Sequence, residues 1–139
     1  MTAGAPGIGV DIIAISRMRD AIDASGQVFM DKVFTSAEQA RARTHPSPAA
    51  YLAMTFAAKE AVFKTLGTGW DGGGQFSEIE IRDGVHGEPL PVLSGSLAEA
   101  ARERGVTQIL VSLSNDGDFA VAAAISSGTG PGMNGAGAP

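Results

Sequence analysis

Three charged residues in apolar surroundings carry the chemistry this sequence could perform. Glu60 and Lys64 lie four apart in "TFAAKEAVFKTLGTGW" (residues 55–70), a stretch otherwise rich in alanine and large apolar side chains. Asp11 stands alone in "GIGVDIIAI" (residues 7–15), which is apolar and β-branched. Brought together, Asp11 and Glu60 would be two carboxylates that repel unless a proton or a metal lies between them. An all-oxygen donor set suits magnesium, which keeps waters and bridges to phosphate oxygens. Lys64, one turn beyond Glu60, could face such a phosphate. The turn "GTGWDGGG" offers backbone N–H groups that glycine lets a phosphate approach. A plainer alternative stays open: Glu60 and Lys64 form an exposed helical ion pair contributing roughly 0.3–0.5 kcal/mol. Gly67 would then simply cap the helix. Lys59, the third charge of the stretch, has no evident role in either reading.

The elements that must position these residues follow from patterning. Residues 7–15 read as a buried strand. Ser16 is placed to cap a short helix that Gly26 ends. Thr35 and Glu38 have capping-box spacing for a second helix. "THPSP" (residues 44–48) breaks the chain, and Ser47 then caps a long helix from Pro48 to Leu66, closed by Gly67. That helix is apolar on nearly every face, which predicts burial on most sides.

Alternation around Ile79 and Ile81, with turns at Asp83–Gly84 and Gly87–Pro89, predicts a strand and a loosely paired successor. Ser96 and Glu99 again have capping-box spacing, for a helix that Gly105 stops. "TQILVSLSNDGDFAVAAAI" reads as two strands hinged at Asn115–Asp118. Helices and antiparallel strands mix without regular alternation, so the fold class is α+β: a small antiparallel-sheet domain with one long buried helix. One domain is expected over residues 7–126, with the glycine-rich 127–139 a disordered or linker tail.

At 139 residues the chain can bury a real core. It contains no cysteine, so disulfides and thiolate chemistry are excluded. A net charge of −5 argues against nucleic-acid or anionic-membrane binding. No apolar run is long enough to span a bilayer, and the N-terminus lacks secretory features, so the cytoplasm is expected. Arg17, Arg19, Lys32, Arg41 and Arg43 cluster in the first third, interspersed with acids; a solvated mixed face is the simplest reading.

"GIGVDIIAISR", "FAAKEAVFKTLGTG" and "VSLSNDGDFAVAA" resemble, in order and spacing, the signature blocks of the 4′-phosphopantetheinyl transferases, most closely the holo-acyl-carrier-protein synthase type. The usual blocks are G-I-G-x-D-I, then A-x-K-E-A-x-x-K-A-x-G-T-G, then a late strand ending in histidine. The resemblance covers about Gly7 to Ile125. It implies the 4′-phosphopantetheinyl transferase fold in a homotrimer whose active sites are shared between neighbours. It also implies transfer of the 4′-phosphopantetheine arm of coenzyme A to a serine of an acidic carrier protein, with Mg²⁺, releasing adenosine 3′,5′-bisphosphate.

By position, Asp11 and Glu60 would be the magnesium ligands holding the coenzyme A pyrophosphate, with Glu60 or a water held by it as the base. Lys64 would contact the phosphate, and Gly67, Thr68 and Gly69 would lie against the coenzyme. Arg17 and Arg19 would face the carrier. The sequence departs from the pattern at Asn115, which replaces the usual histidine. Asparagine can hydrogen-bond a phosphate or ribose but cannot carry charge or relay a proton. Thr55 stands where many relatives have a basic residue; Arg41, Arg43 or His45 could supply that contact. Both His45 and His86 are expected on surface loops. Loss of the histidine motivates an alternative, a non-catalytic module that binds coenzyme A or a carrier; a further one is a purely structural, trimer-forming domain. The tail is also compatible with a transferase domain cut from a larger synthase.

Overall fold

The computed structural model describes residues 7–67 and 75–128. The chain runs β1 (Gly7–Ala14), α1 (Ile15–Val33), α2 (Ser36–Thr44), α3 (Pro48–Leu66), a 3-10 turn (Phe76–Glu78), β2 (Ile79–Asp83), β3 (Pro89–Leu93), α4 (Gly95–Glu103), β4 (Gln108–Asp116) and β5 (Phe119–Ser127). An antiparallel sheet in the order β1-β5-β4 packs its inner face on α3, and β2 and β3 form a separate hairpin beside β4. The class is α+β, and α3 has the bounds that its proline, apolar run and glycine predict.

Small side chains let the central helix lie close to the sheet. Ala120, Ala122 and Ala124 of β5 and Ala53, Ala57, Ala58 and Ala61 of α3 share one core and are almost wholly excluded from water. The closest approach is made by β1. A Cβ on Gly9 would collide with the carbonyl oxygen of Ala61, and one on Gly7 with that of Thr65. The two glycines of "GIGVD" thus let strand backbone rest directly on helix backbone. Alternation along β1 does the rest. Gly9 and Asp11 point toward α3, whereas Ile8, Val10 and Ile12 point away and are 71%, 53% and 61% exposed.

The other side of α3 is fixed by a charge. Lys59 is fully buried; its Nζ lies 2.7 Å from Glu38 Oε1 and donates to the carbonyls of Val33 (2.6 Å) and Phe76 (3.1 Å). Glu38 closes the capping box with Thr35, accepting the Thr35 N–H, while its other oxygen accepts the Ile81 N–H at 2.7 Å. All three ammonium protons and both carboxylate oxygens have partners, the condition under which burying such a pair is tolerated.

Several expected caps are supplied from elsewhere. Ser16 does not cap α1. Asp118, from the β4–β5 turn, accepts the Ile15 N–H on its carbonyl and the Ser16 N–H and hydroxyl on its carboxylate. Gly26 (φ 52, ψ −130) is non-helical and ends the first helical piece of α1 as expected, and a second piece runs on across the kink to Val33. Ser47 holds the N-cap position of α3, but its side chain makes no cap hydrogen bond. Nor do Ser96 and Glu99 form a box. α4 begins at Gly95, and Glu78 accepts the N–H groups of Ser96 and Leu97. β5 reaches Ser127, one residue past the limit expected at 126. The tail expected over 127–139 lies, from residue 129 on, outside the described residues.

Gly9→Ala should test the strand–helix approach. The added methyl must push β1 off α3, and we expect a loss of about 1–3 kcal/mol in urea unfolding. An unchanged midpoint would show that β1 is free to move away.

Candidate active site

The inward turn of Asp11 and the helical position of Glu60 bring the two carboxylates to one cavity of about 330 Å³. Its lining includes Arg17 and Phe29 from α1, and Phe56, one turn before Glu60 on α3. Lys64 reaches across from α3. Its Nζ lies 3.5 Å from Asp11 Oδ1 and donates to the Val10 carbonyl at 2.8 Å. The helical spacing that suggests a Glu60–Lys64 pair is thus used differently, with Lys64 paired to the strand carboxylate.

Burial pushes the Asp11 carboxyl above the usual aspartate range, and the Lys64 ammonium opposes that shift. Glu60 is also pushed up, first by burial and then by the negative charge of Asp11, with Lys64 again opposing. Two half-buried carboxylates sharing one cavity with one half-exposed lysine beside them are short of positive charge. A hard divalent cation would relieve that shortage, and oxygen donors are the set it prefers. No group of three or more His, Cys, Asp or Glu suited to a metal occurs among the described residues. Two carboxylates would leave the remaining coordination positions to water and substrate oxygens, as is usual for magnesium.

Other expected site residues divide. Arg17 lines the cavity; Arg19 is exposed on α1 and is not part of its wall. Gly67 adopts the left-handed conformation (φ 66) that closes α3, and Thr68 and Gly69 lie outside the described residues. Asn115 sits exposed near the end of β4, opposite Ala120, and does not line the carboxylate cavity.

Thr55 is buried, its hydroxyl donating to the Tyr51 carbonyl at 2.9 Å. It lines a second cavity of about 540 Å³ with Arg41, Tyr51 and Ser112. There Arg41 is held by Asp83 (2.8 Å) and donates to the Ile81 carbonyl (2.6 Å). His86 is exposed, whereas His45 is half-buried against the Tyr51 ring and accepts the Ser47 N–H. Sequence reasoning missed Phe29 and Phe56 as walls of the site. Only Phe56 carried a signal, its position four residues before Glu60 on one helical face.

A sequence model of the 4′-phosphopantetheinyl transferase superfamily matches residues 7–124. The chain is 44% identical over 122 residues to the holo-acyl-carrier-protein synthase of Desulforudis audaxviator, covering 88% of this chain and 92% of that protein. Among solved structures, the holo-acyl-carrier-protein synthase of Neisseria meningitidis superposes with a TM-score of 0.81 at 31% identity, covering 87% of this chain and 97% of that one. The synthase–coenzyme A complex from Chronobacterium ammoniagenes gives 0.78 at 29% identity, over 91% and 99%.

The electrostatics of the site predict a cost to stability. Because the folded protein raises the Glu60 carboxyl above its ordinary value of 4.5, the fold favours the protonated form. The cost of ionisation is absent below that value and present in full above the raised one. Glu60→Gln should therefore melt higher than the wild type at pH 7, and the gap should close as the pH falls toward about 4. A gap of opposite sign in thermal scans at pH 7 would contradict the charge crowding.

Proposed function

The chain belongs to the 4′-phosphopantetheinyl transferase superfamily, and from that premise we propose that it is a holo-acyl-carrier-protein synthase. It would move the 4′-phosphopantetheine arm of coenzyme A to a serine of an apo carrier protein. The observation that carries this reading is the meeting of Asp11 and Glu60 in one cavity with Arg17 at its wall and Lys64 on Asp11. Relatives named as such synthases, one of them in complex with coenzyme A, support the substrate.

In the proposed reaction the serine oxygen forms a bond to the β-phosphorus of coenzyme A. The pyrophosphate P–O bond breaks, and adenosine 3′,5′-bisphosphate leaves with the electron pair. Glu60, or a water it holds, takes the hydroxyl proton. Lys64 places positive charge beside the phosphoryl oxygens. Asp11 and Glu60 would hold Mg²⁺, which when bound neutralises charge on the pyrophosphate. Gly67, Thr68 and Gly69 would lie against the coenzyme. Asn115 would offer that ligand hydrogen bonds without a proton relay.

The partner is an acidic carrier protein, for which Arg17 at the cavity wall and Arg19, exposed two residues further along α1, are the proposed cationic contacts. The assembly would be a homotrimer with shared sites. The outer sheet face supports this: Ile8, Ile125 and Leu110 form an exposed apolar row across all three strands, with Val10, Ile12 and Phe119 nearby. Monomers rarely leave such a patch in water. The catalytic domain would span residues 7–126, extended by Ser127 at the end of β5, with the rest of 127–139 a linker or tail, acting in the cytoplasm. No described helix is long and apolar enough to cross a membrane.

With coenzyme A, Mg²⁺ and an apo carrier protein, the carrier should gain the mass of one phosphopantetheine, and Glu60→Gln should slow this about a hundredfold or more. No mass gain across several carriers, with coenzyme A still bound in calorimetry, would favour a binding module. Ile12→Asp should convert a trimer into monomers in light scattering. A variant that stays trimeric would remove the sheet face from the interface.

A further inference from the structure

We infer that Lys59, which lines neither cavity, is a positioning residue that holds both aromatic walls of the carboxylate site; the inference rests on the transferase reading above. The walls in question are Phe56 and Phe29, which line the cavity together with Asp11 and Glu60. Each is tied to Lys59 through one intermediate phenylalanine.

The first tie runs through Phe76. Lys59 Nζ donates to the Phe76 carbonyl at 3.1 Å, and the Phe76 ring stacks on Phe56 with centroids 5.3 Å apart and planes 24° from parallel. The second runs through Phe34. The ammonium lies 5.5 Å from the centroid of the Phe34 ring, within the range of a cation–π contact. Phe34 in turn meets Phe29 edge to face at 6.1 Å. The third partner, the Val33 carbonyl, anchors the end of α1, the helix that carries Phe29 and Arg17.

The arrangement places a charge where an apolar side chain would serve packing alone. Methionine or leucine could fill the same volume, often at no loss of stability. Neither could hold the Phe76 carbonyl, the Val33 carbonyl and the Phe34 ring at once. A buried ammonium with three fixed acceptors sets distances and directions, which dispersion contacts do not. Those directions decide how Phe56 and Phe29 stand around the carboxylates, and small misplacements beside reacting groups are costly in rate.

The test separates stability from geometry. Lys59→Met alone strands the Glu38 carboxylate in the core and should melt far below the wild type. The double variant Lys59→Met/Glu38→Gln leaves no unpaired charge and should recover most of the lost melting temperature. If Lys59 positions the walls, kcat of the double variant stays roughly tenfold or more below wild type, while the Kd for coenzyme A in calorimetry moves less than about threefold. Recovery of kcat together with melting temperature would overturn the inference.

Phe76→Leu is the second probe, since it keeps the backbone carbonyl for Lys59 and removes the ring behind Phe56. It should lower kcat by a similar factor, and a wild-type kcat would equally overturn the inference. Wild-type protein in the same assay tells the two failures apart. If it loads no carrier the transferase reading is at fault, and if it does so alongside fully active variants only the role of Lys59 is lost.

Discussion

An ammonium with no access to water sets the terms for the rest of this fold. Lys59 and Glu38 are both fully excluded from solvent, and such a pair seldom adds net stability, because desolvating two charges consumes most of their attraction. What it fixes is orientation. Successive residues of an α-helix are turned by about 100°, so pinning Lys59 toward α1, α2 and the 3-10 turn leaves α3 one rotational setting. In that setting Glu60 faces β1 and α1. The same pair ties the start of α2 to β2 through the Ile81 N–H, so one interaction sets the register of the helical layer against the smaller sheet.

The opposite side of α3 is governed by absence of side chains. Gly7 and Gly9 let β1 settle onto the carbonyls of Thr65 and Ala61, and the alanines of β5 continue the close approach. The consequence is electrostatic. Asp11 is brought to the helix at the level of Glu60 and Lys64, partly out of water, and both carboxyls are raised by burial. A fold selected for stability alone would separate them. Their meeting in a cavity beside a lysine and an arginine is the arrangement expected where anionic phosphates and a divalent cation are handled.

Features with local causes were legible in the sequence. The bounds of α3 follow from Pro48, an apolar run and Gly67. The Thr35–Glu38 box is a contact three residues apart, and the β4–β5 hairpin follows from Asn115–Asp118. What escaped depends on distant partners. No local rule tells that Asp118 caps α1 or that Glu78 caps α4, since each cap comes from an element remote in sequence. Glu38 reads as a capping residue and is one, but its second task, neutralising Lys59, joins residues 21 apart. Lys59 itself had no evident role because its three acceptors come from Glu38, Val33 and Phe76. The carboxylates and Lys64 were visible as misfits in apolar segments, and family resemblance, rather than spacing, joined Asp11 to Glu60. That Lys64 pairs with Asp11 depends on the register of β1 on α3, which only the three-dimensional structure supplies.

The alternation of β1 links the site to the proposed assembly. Its inward residues, Gly9 and Asp11, make the approach to α3 and contribute a carboxylate. Its outward residues, Ile8, Val10 and Ile12, make the apolar face. A strand has one pleat, so a slip of one residue would exchange the two sets, exposing Asp11 and driving isoleucine into the carbonyls of α3. Any partner copy that covers the outer face therefore also holds β1 in the register that sets Asp11 beside Lys64. The lone aspartate in an isoleucine-rich strand is then not an anomaly of composition. It is the inward-facing member of a strand whose outward side is apolar and exposed, and its charge is acceptable because the helix beneath it carries Lys64.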